Sequence, residues 1–139
     1  MDRERITVEI VDRWPPQEIV DLYRAGGWWK DEYDPAGIPA LVEGSHAFAV
    51  AVDVKGHAVG MGRAITDRYS DAYIQDVVVM DERRGEGIGR MIVERLLERL
   101  REDGLGWIGL IAEDGSEEFY EGLGFKRMKG TPMLFGGGR

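Results

Sequence analysis

The stretch Val77-Val78-Val79-Met80-Asp81-Glu82-Arg83-Arg84-Gly85-Glu86-Gly87-Ile88-Gly89-Arg90 decides how this chain folds, because its character changes midway. Its apolar start continues Ala72-Tyr73-Ile74-Gln75-Asp76, and together they make the strongest strand in the chain by β-propensity. Such a strand is expected at the centre of a sheet. After the glycines, Ile88, Met91, Ile92, Leu96 and Leu100 recur at helical spacing, with Arg90, Glu94, Arg95, Glu98, Arg99 and Glu102 opposite. Gly104 supplies the stop. A short strand over residues 107–111 completes a βαβ unit, so the two strands should be parallel.

The start of that long helix carries no good cap. Gly85, Glu86 and Gly87 offer none of the short oxygens that Ser, Thr, Asp or Asn place on the first amides. An anion at the positive end of the helix dipole would satisfy those amides, and Gly85, Gly87 and Gly89 let backbone approach closely. This predicts a pyrophosphate site. Arg83, Arg84 and Arg90 against Glu86 make a local basic island in a chain of net charge -8. The alternative is that the glycines serve tight strand-to-helix packing and that Arg90 pairs with Glu94 across one turn. A dinucleotide fingerprint would need a third glycine where Arg90 stands, and a P-loop would need Gly-Lys-Ser/Thr. Neither is present.

Working outward, residues 6–11 read as a first strand, Pro15-Pro16 punctuates, and residues 18–25 read as a short amphipathic helix ended by Gly26-Gly27. The run Trp28-Trp29-Lys30-Asp31-Glu32-Tyr33-Asp34-Pro35 has no period. Asp34-Pro35 caps a second short helix reaching about Glu43. Apolar runs over residues 45–54 and 57–65, parted by Lys55-Gly56, read as a β-hairpin with a two-residue turn. Further on come a helix over residues 116–122, a turn at Gly124, a last strand around residues 133–135, and a frayed tail Gly136-Gly137-Gly138-Arg139. No repeat and no long linker interrupts this order. With 139 residues, residues 1–139 read as a single α/β domain with a mixed sheet.

Composition excludes several chemistries. There is no cysteine, hence no disulfide framework, thiolate zinc site or cysteine nucleophile, and two histidines, His46 and His57, argue against a histidine metal site. The acidic balance argues against nucleic acid as a partner and accepts a cationic small molecule more easily. No apolar run approaches about 18 residues, and Met1-Asp2-Arg3-Glu4-Arg5 lacks the apolar stretch of a signal peptide. A cytoplasmic protein with no membrane partner is the expectation.

The segment Val77 to Arg90 resembles the acetyl-CoA motif of the GNAT superfamily of N-acetyltransferases, Gln/Arg-x-x-Gly-x-Gly/Ala, with Arg84 first. Glu118-Phe119-Tyr120-Glu121-Gly122-Leu123-Gly124-Phe125 is similar to that family's second motif, an aromatic pair before a Gly-Phe that enters a strand. The likeness covers about residues 45–135. Through Gly62-Arg63-Ala64 with Asp67, Gln75-Asp76-Val77 and residues 118–125, it leans toward the plant-type arylalkylamine (serotonin) acetyltransferases and their small bacterial relatives. One departure is Glu113, where many members have Asn. The resemblance implies the GNAT fold, a mixed central sheet of six to seven strands flanked by about four helices. It also implies acetyl-CoA as acyl donor and cosubstrate.

Transfer from a thioester to an amine needs a neutral amine in line with the carbonyl, stabilisation of the oxyanion and a proton for the departing thiolate. The resemblance implies that the pantetheine arm pairs with Val77, Val78 and Val79 as an extra strand, because the neighbouring strand splays away after a bulge. A backbone N–H of Val78 or Val79 would then face the thioester oxygen. Arg84, Gly85, Glu86, Gly87, Ile88, Gly89 and Arg90 would hold the pyrophosphate, with Phe119 a further cofactor contact. Tyr120 is the candidate general acid, and its alternative is an amphipathic core tyrosine. Asp76 is the candidate base, acting through a water, with Glu113 behind it. The alternative for Asp76 is a salt bridge to Arg63.

Trp28, Trp29 and Tyr33 lie in the helix-loop-helix that in this family covers the acceptor, and with Arg63 they are candidates for substrate contact, core packing being the alternative for at least one Trp. His46 and His57 read as ordinary hydrogen-bonded residues. A small primary amine is the first choice of acceptor and a protein or peptide amine the second. The competing classes are a silent acyl-CoA sensor and a plain interaction domain. GNAT relatives are often dimers through exchanged or abutting C-terminal strands, which leaves a homodimer open to this chain.

Overall fold

The computed structural model describes residues 5–137, which fall into two compact units, one running to Gly109 and one starting at Leu110. Met1 to Glu4, Gly138 and Arg139, on which the leader and tail expectations partly rest, lie outside the described residues.

The first unit is built on a sheet of five strands, β1 (Thr7–Ile10), β2 (Ala47–Val52), β3 (Ala58–Thr66), β4 (Asp71–Val79) and β5 (Trp107–Gly109), in the order β1-β2-β3-β4-β5. β1 to β4 are antiparallel neighbours, and β4 pairs with β5 in parallel as the βαβ pattern predicts. Among the described residues the sheet has five strands rather than six to seven. Its centre is β3, and β4 lies one place from the edge, against the expectation from β-propensity. The physical reason is burial: β2 is buried at every residue and β3 along most of its length, whereas β4 alternates. Strands covered on both faces read as continuous apolar or small runs, and these take the middle.

The hairpin between β2 and β3 turns through three residues rather than two. The Asp53 N–H donates to the His57 carbonyl at 3.0 Å, and the Gly56 N–H donates to Asp53 at 3.0 Å. The Asp53 carboxylate accepts from the Lys55 and His57 amides, which favours the longer turn over a bare Lys-Gly corner.

Helices cover both faces of this sheet. α1 (Pro16–Ala25) buries Ile19, Val20, Leu22 and Tyr23, and α2 (Ile38–Gly44) buries Ile38 and Val42. They share one apolar cluster with Phe48, Val50, Met61 and Val78. A 3-10 turn, Pro35–Gly37, leads into α2, and the Asp34 side chain accepts from the Ala36 amide at 2.9 Å, the cap that the sequence suggests. On the other face lies α3 (Ile88–Glu102), which buries Ile88, Ile92, Val93, Leu96 and Leu100 and leaves Met91 half-exposed. Each such side chain contributes about 1.5–3 kcal/mol relative to exposure. A Cβ on Gly62 would stand 2.8 Å from Ile92 Cγ2, so β3 admits the helix only because it carries glycine there. Among the described residues no helix is long and apolar enough to cross a membrane.

The second unit holds α4 (Glu117–Glu121), within the helix expected at residues 116–122. The strand expected around residues 133–135 is absent from its described residues. Met133, Leu134 and Phe135 are instead exposed, between Gly130 and Gly136. A short apolar run forms no strand without a neighbour to pair with.

Candidate active site

The site begins with an irregularity in β4. Met61 pairs with Val78 and Arg63 with Gln75, so β4 carries one residue more than β3 between those positions. The extra residue is accommodated at Asp76, whose φ of 57 is left-handed, an unusual state for a non-glycine residue in mid-strand. β5 meets β4 only at residues 71–73. From residue 74 to 79 the far edge of β4 therefore has no ladder partner among the described residues. Val78 is buried toward α1, and Val77 packs toward α3 beside Gly62.

Asp76 is the one buried charged residue described. Its Oδ2 accepts from Arg63 Nε at 2.8 Å and from the Tyr23 hydroxyl at 2.7 Å. Arg63 also donates to Gln75 Oε1 at 3.1 Å and to Ser45 Oγ at 3.4 Å. The salt bridge weighed as the alternative for Asp76 is thus present. Burial, then the Asp76 charge, pushes the Tyr23 phenol well above its ordinary range, so it remains a donor.

Trp28 and Trp29 are half-buried against the α1 cluster. Their rings lie 6.2 and 6.5 Å from that of Tyr23, and Trp29 meets Tyr33 edge-on at 5.4 Å. An aromatic chain therefore leads from the loop after α1 to Asp76. Tyr23 is the residue that sequence reasoning missed. A signal was available: a phenol on the buried stripe of α1 requires a hydrogen-bond partner.

At the other end of β4 the chain enters α3. Gly87 precedes the helix with φ 81, no side chain caps the helix, and its first turn contains no acid. Gly85 also has φ 81, and a Cβ at either glycine would meet nothing within 4 Å. The glycines are required by conformation, and open space lies beside them. The arginines are locally paired: Arg83 with Glu86, Arg84 with Asp81 at 3.0 Å, and Arg90 with Glu94 at 2.9 Å. The Arg90 pair is the one named as the bland alternative. Pairs as exposed as those of Arg84 and Arg90 contribute about 1 kcal/mol or less, so an incoming anion can displace the carboxylates.

In the second unit, Tyr120 packs edge-on against Phe119 at 4.9 Å and Phe125 at 5.7 Å, and Phe125 donates its N–H to the Tyr120 carbonyl at 3.1 Å. Burial, with a smaller effect of the Glu113 carboxylate, raises the Tyr120 phenol above its ordinary value. His46 contacts Asp103 at 2.6 Å and His57 contacts Glu18 at 3.0 Å, both as hydrogen-bonded surface residues.

The sequence matches the acetyltransferase (GNAT) family across residues 7–125. It is 31% identical over 119 residues to GCN5-related N-acetyltransferase 2, chloroplastic, of Arabidopsis thaliana, covering 81% of this chain and 45% of that protein. It is 41% identical over 70 residues to serotonin N-acetyltransferase 2, chloroplastic, of Oryza sativa subsp. japonica, covering 50% of this chain and 35% of that protein. The chain thus spans less than half the length of these relatives. A probable acetyltransferase of unknown function from Staphylococcus aureus shares the fold, with TM-score 0.78 at 18% identity over 94% of this chain and 100% of that one. On a match that runs through β1, the β4-to-α3 junction and the Phe119-Tyr120 pair, the chain belongs to the GNAT family of acetyltransferases.

Proposed function

We propose that this chain is an acetyl-CoA-dependent N-acetyltransferase that moves an acetyl group directly to the primary amine of a small molecule, with residues 1–139 acting as one catalytic domain. The observation that carries this reading is the continuity of an unpaired β4 edge with the uncapped, glycine-lined start of α3. A CoA pyrophosphate fits such a start, because free amides and space lie together there. In this reading Gly85, Glu86, Gly87, Ile88 and Gly89 meet the pyrophosphate through backbone, Arg84 and Arg90 flank it, and Phe119 contacts the cofactor. Bound there, acetyl-CoA supplies the activated acyl group.

Val77 to Val79 offer backbone to the pantetheine arm. The Met80 N–H donates to Val59 on β3 at 2.9 Å, so alternation along the strand turns the Val79 N–H toward the open edge. This favours Val79 over Val78 as the oxyanion donor. The amine nitrogen bonds to the acyl carbon as the carbon–sulfur bond breaks. Tyr120, held protonated by burial, gives its proton to the sulfur, and the amine proton leaves through solvent. Trp28, Trp29 and Arg63 border the amine. Glu113 is the alternative proton acceptor, because Oδ2 of Asp76 already serves two donors.

The rice relative is named a serotonin N-acetyltransferase, which supports a small amine as acceptor. The test is thiol release from acetyl-CoA across arylalkylamines, polyamines, aminoglycosides and peptides. Turnover with at least one small amine is the expected result, and turnover confined to peptides would move the acceptor class to proteins. Tyr120→Phe should lower kcat by about 100-fold or more with acetyl-CoA affinity unchanged. Unaltered turnover would remove Tyr120 from the chemistry.

A further inference from the structure

We infer that Tyr23 and Arg63 are positioning residues, which act through Asp76 to fix the bulge of β4 and so aim the Val77 to Val79 backbone. The inference rests on the acetyl-CoA reading and adds to it the device that holds the reacting edge in place. A left-handed non-glycine residue in mid-strand is strained and persists only where its surroundings determine it. Two non-glycine residues described have positive φ, Arg68 and Asp76. Arg68 lies in an exposed turn, where its N–H finds Thr66 Oγ1 at 3.0 Å. Asp76 lies inside a strand, and its side chain is 2% exposed.

Two donors from different elements converge on a single oxygen of Asp76, one from α1 and one from β3. Each donor is itself braced. Tyr23 is fixed by the rings of Trp28 and Trp29, and Arg63 also donates to Gln75 and Ser45. The carboxylate is thereby tied to the helix layer and to the neighbouring strand at the residue where β4 changes course. A base would need an oxygen presented to the amine or to a water. Oδ2 of Asp76 is committed to its own fold.

Three variants and two binding probes test this. Tyr23→Phe keeps the ring against Trp28 and Trp29 and deletes only the hydroxyl. It should lower kcat/KM for acetyl-CoA roughly tenfold and speed amide hydrogen exchange at Val77 to Val79. Affinity for adenosine 3′,5′-bisphosphate, which lacks the pantetheine arm, should be unchanged. Asp76→Gly accepts φ 57 freely but carries no carboxylate, and should lose at least as much. Asp76→Asn tolerates the left-handed state and still offers an oxygen to both donors, so it should retain most of the activity. Amide exchange and kcat/KM unchanged in both Tyr23→Phe and Asp76→Gly would overturn the clamp. Loss of turnover in Asp76→Asn with unaltered exchange would overturn it in favour of a chemical role for Asp76. A wild-type protein that binds neither CoA nor the bisphosphate would instead overturn the acetyltransferase reading itself.

Discussion

Two of the three α-helices of the first unit that start without a side-chain cap, α1 and α3, resolve the same electrostatic problem in opposite ways. α1 opens on Pro15-Pro16 and places Glu18 in its first turn. The Glu18 carboxylate accepts from the Ala58 amide at 2.7 Å, from Trp14 Nε1 at 2.9 Å and from His57 at 3.0 Å. Burial works against its ionisation, but these bonds outweigh it and hold the carboxyl below its usual range. α3 opens on glycine, has no acid in its first turn, and carries Arg90 at the third position, where α1 has Glu18. The positive end of α1 meets a carboxylate from within the fold, and that of α3 is the one proposed to meet an anion from outside. Between these two helices the difference lies in the charge of the first turn and not in the cap, whereas α2, which has neither cap nor first-turn acid, continues from the 3-10 turn that Asp34 caps.

That contrast can be broken at either end. The largest effect is expected from Glu18→Ala, which leaves the buried Ala58 amide without its acceptor. Urea unfolding should register a loss of about 1–3 kcal/mol, while affinity for CoA stays unchanged. Arg90→Glu copies the α1 arrangement into α3. Calorimetry should show CoA affinity falling roughly tenfold, about 1.4 kcal/mol, with stability moving by about 1 kcal/mol or less. Retained affinity would mean that the first-turn charge of α3 is not what selects the ligand.

The smallest effect concerns pH. The bond to Glu18 raises His57 above its ordinary value of 6.5. A group raised in the folded state contributes stability that is full below 6.5 and is lost as pH rises through the folded value. Melting temperature followed upward from pH 6.5 should therefore decline more in wild type than in His57→Gln, and identical slopes would sever His57 from α1. Glu18 adds the opposite dependence in acid, since a lowered carboxyl stabilises above its unfolded value and ceases to do so as pH falls.

Much of this was legible in the chain. Helical periodicity located α3, with Gly104 following its C-terminus at φ 80, because an amphipathic stripe over four turns is a local signal. The glycine-rich start was legible for the same reason, since the absence of a cap is written in adjacent residues. The hairpin was legible as a hairpin, but its turn was not, because the Asp53 side chain rather than Lys55-Gly56 decided the loop length. The last strand failed as a reading because Met133, Leu134 and Phe135 are an exposed apolar run with no strand to pair with among the described residues.

The sequence by itself determined the β4-to-α3 junction, with its positive-φ glycines and its missing cap. Those properties belong to neighbouring residues, to glycine's access to positive φ and to the dipole of any helix. Only the tertiary structure decided that β3 takes the centre of the sheet, that the far edge of β4 has no ladder partner beyond residue 73 among the described residues, and that Tyr23 reaches Asp76 from 53 residues away. Strand order and buried polar pairing follow from which faces are covered and which donors arrive there. That is a property of packing over the whole unit, and no local pattern encodes it.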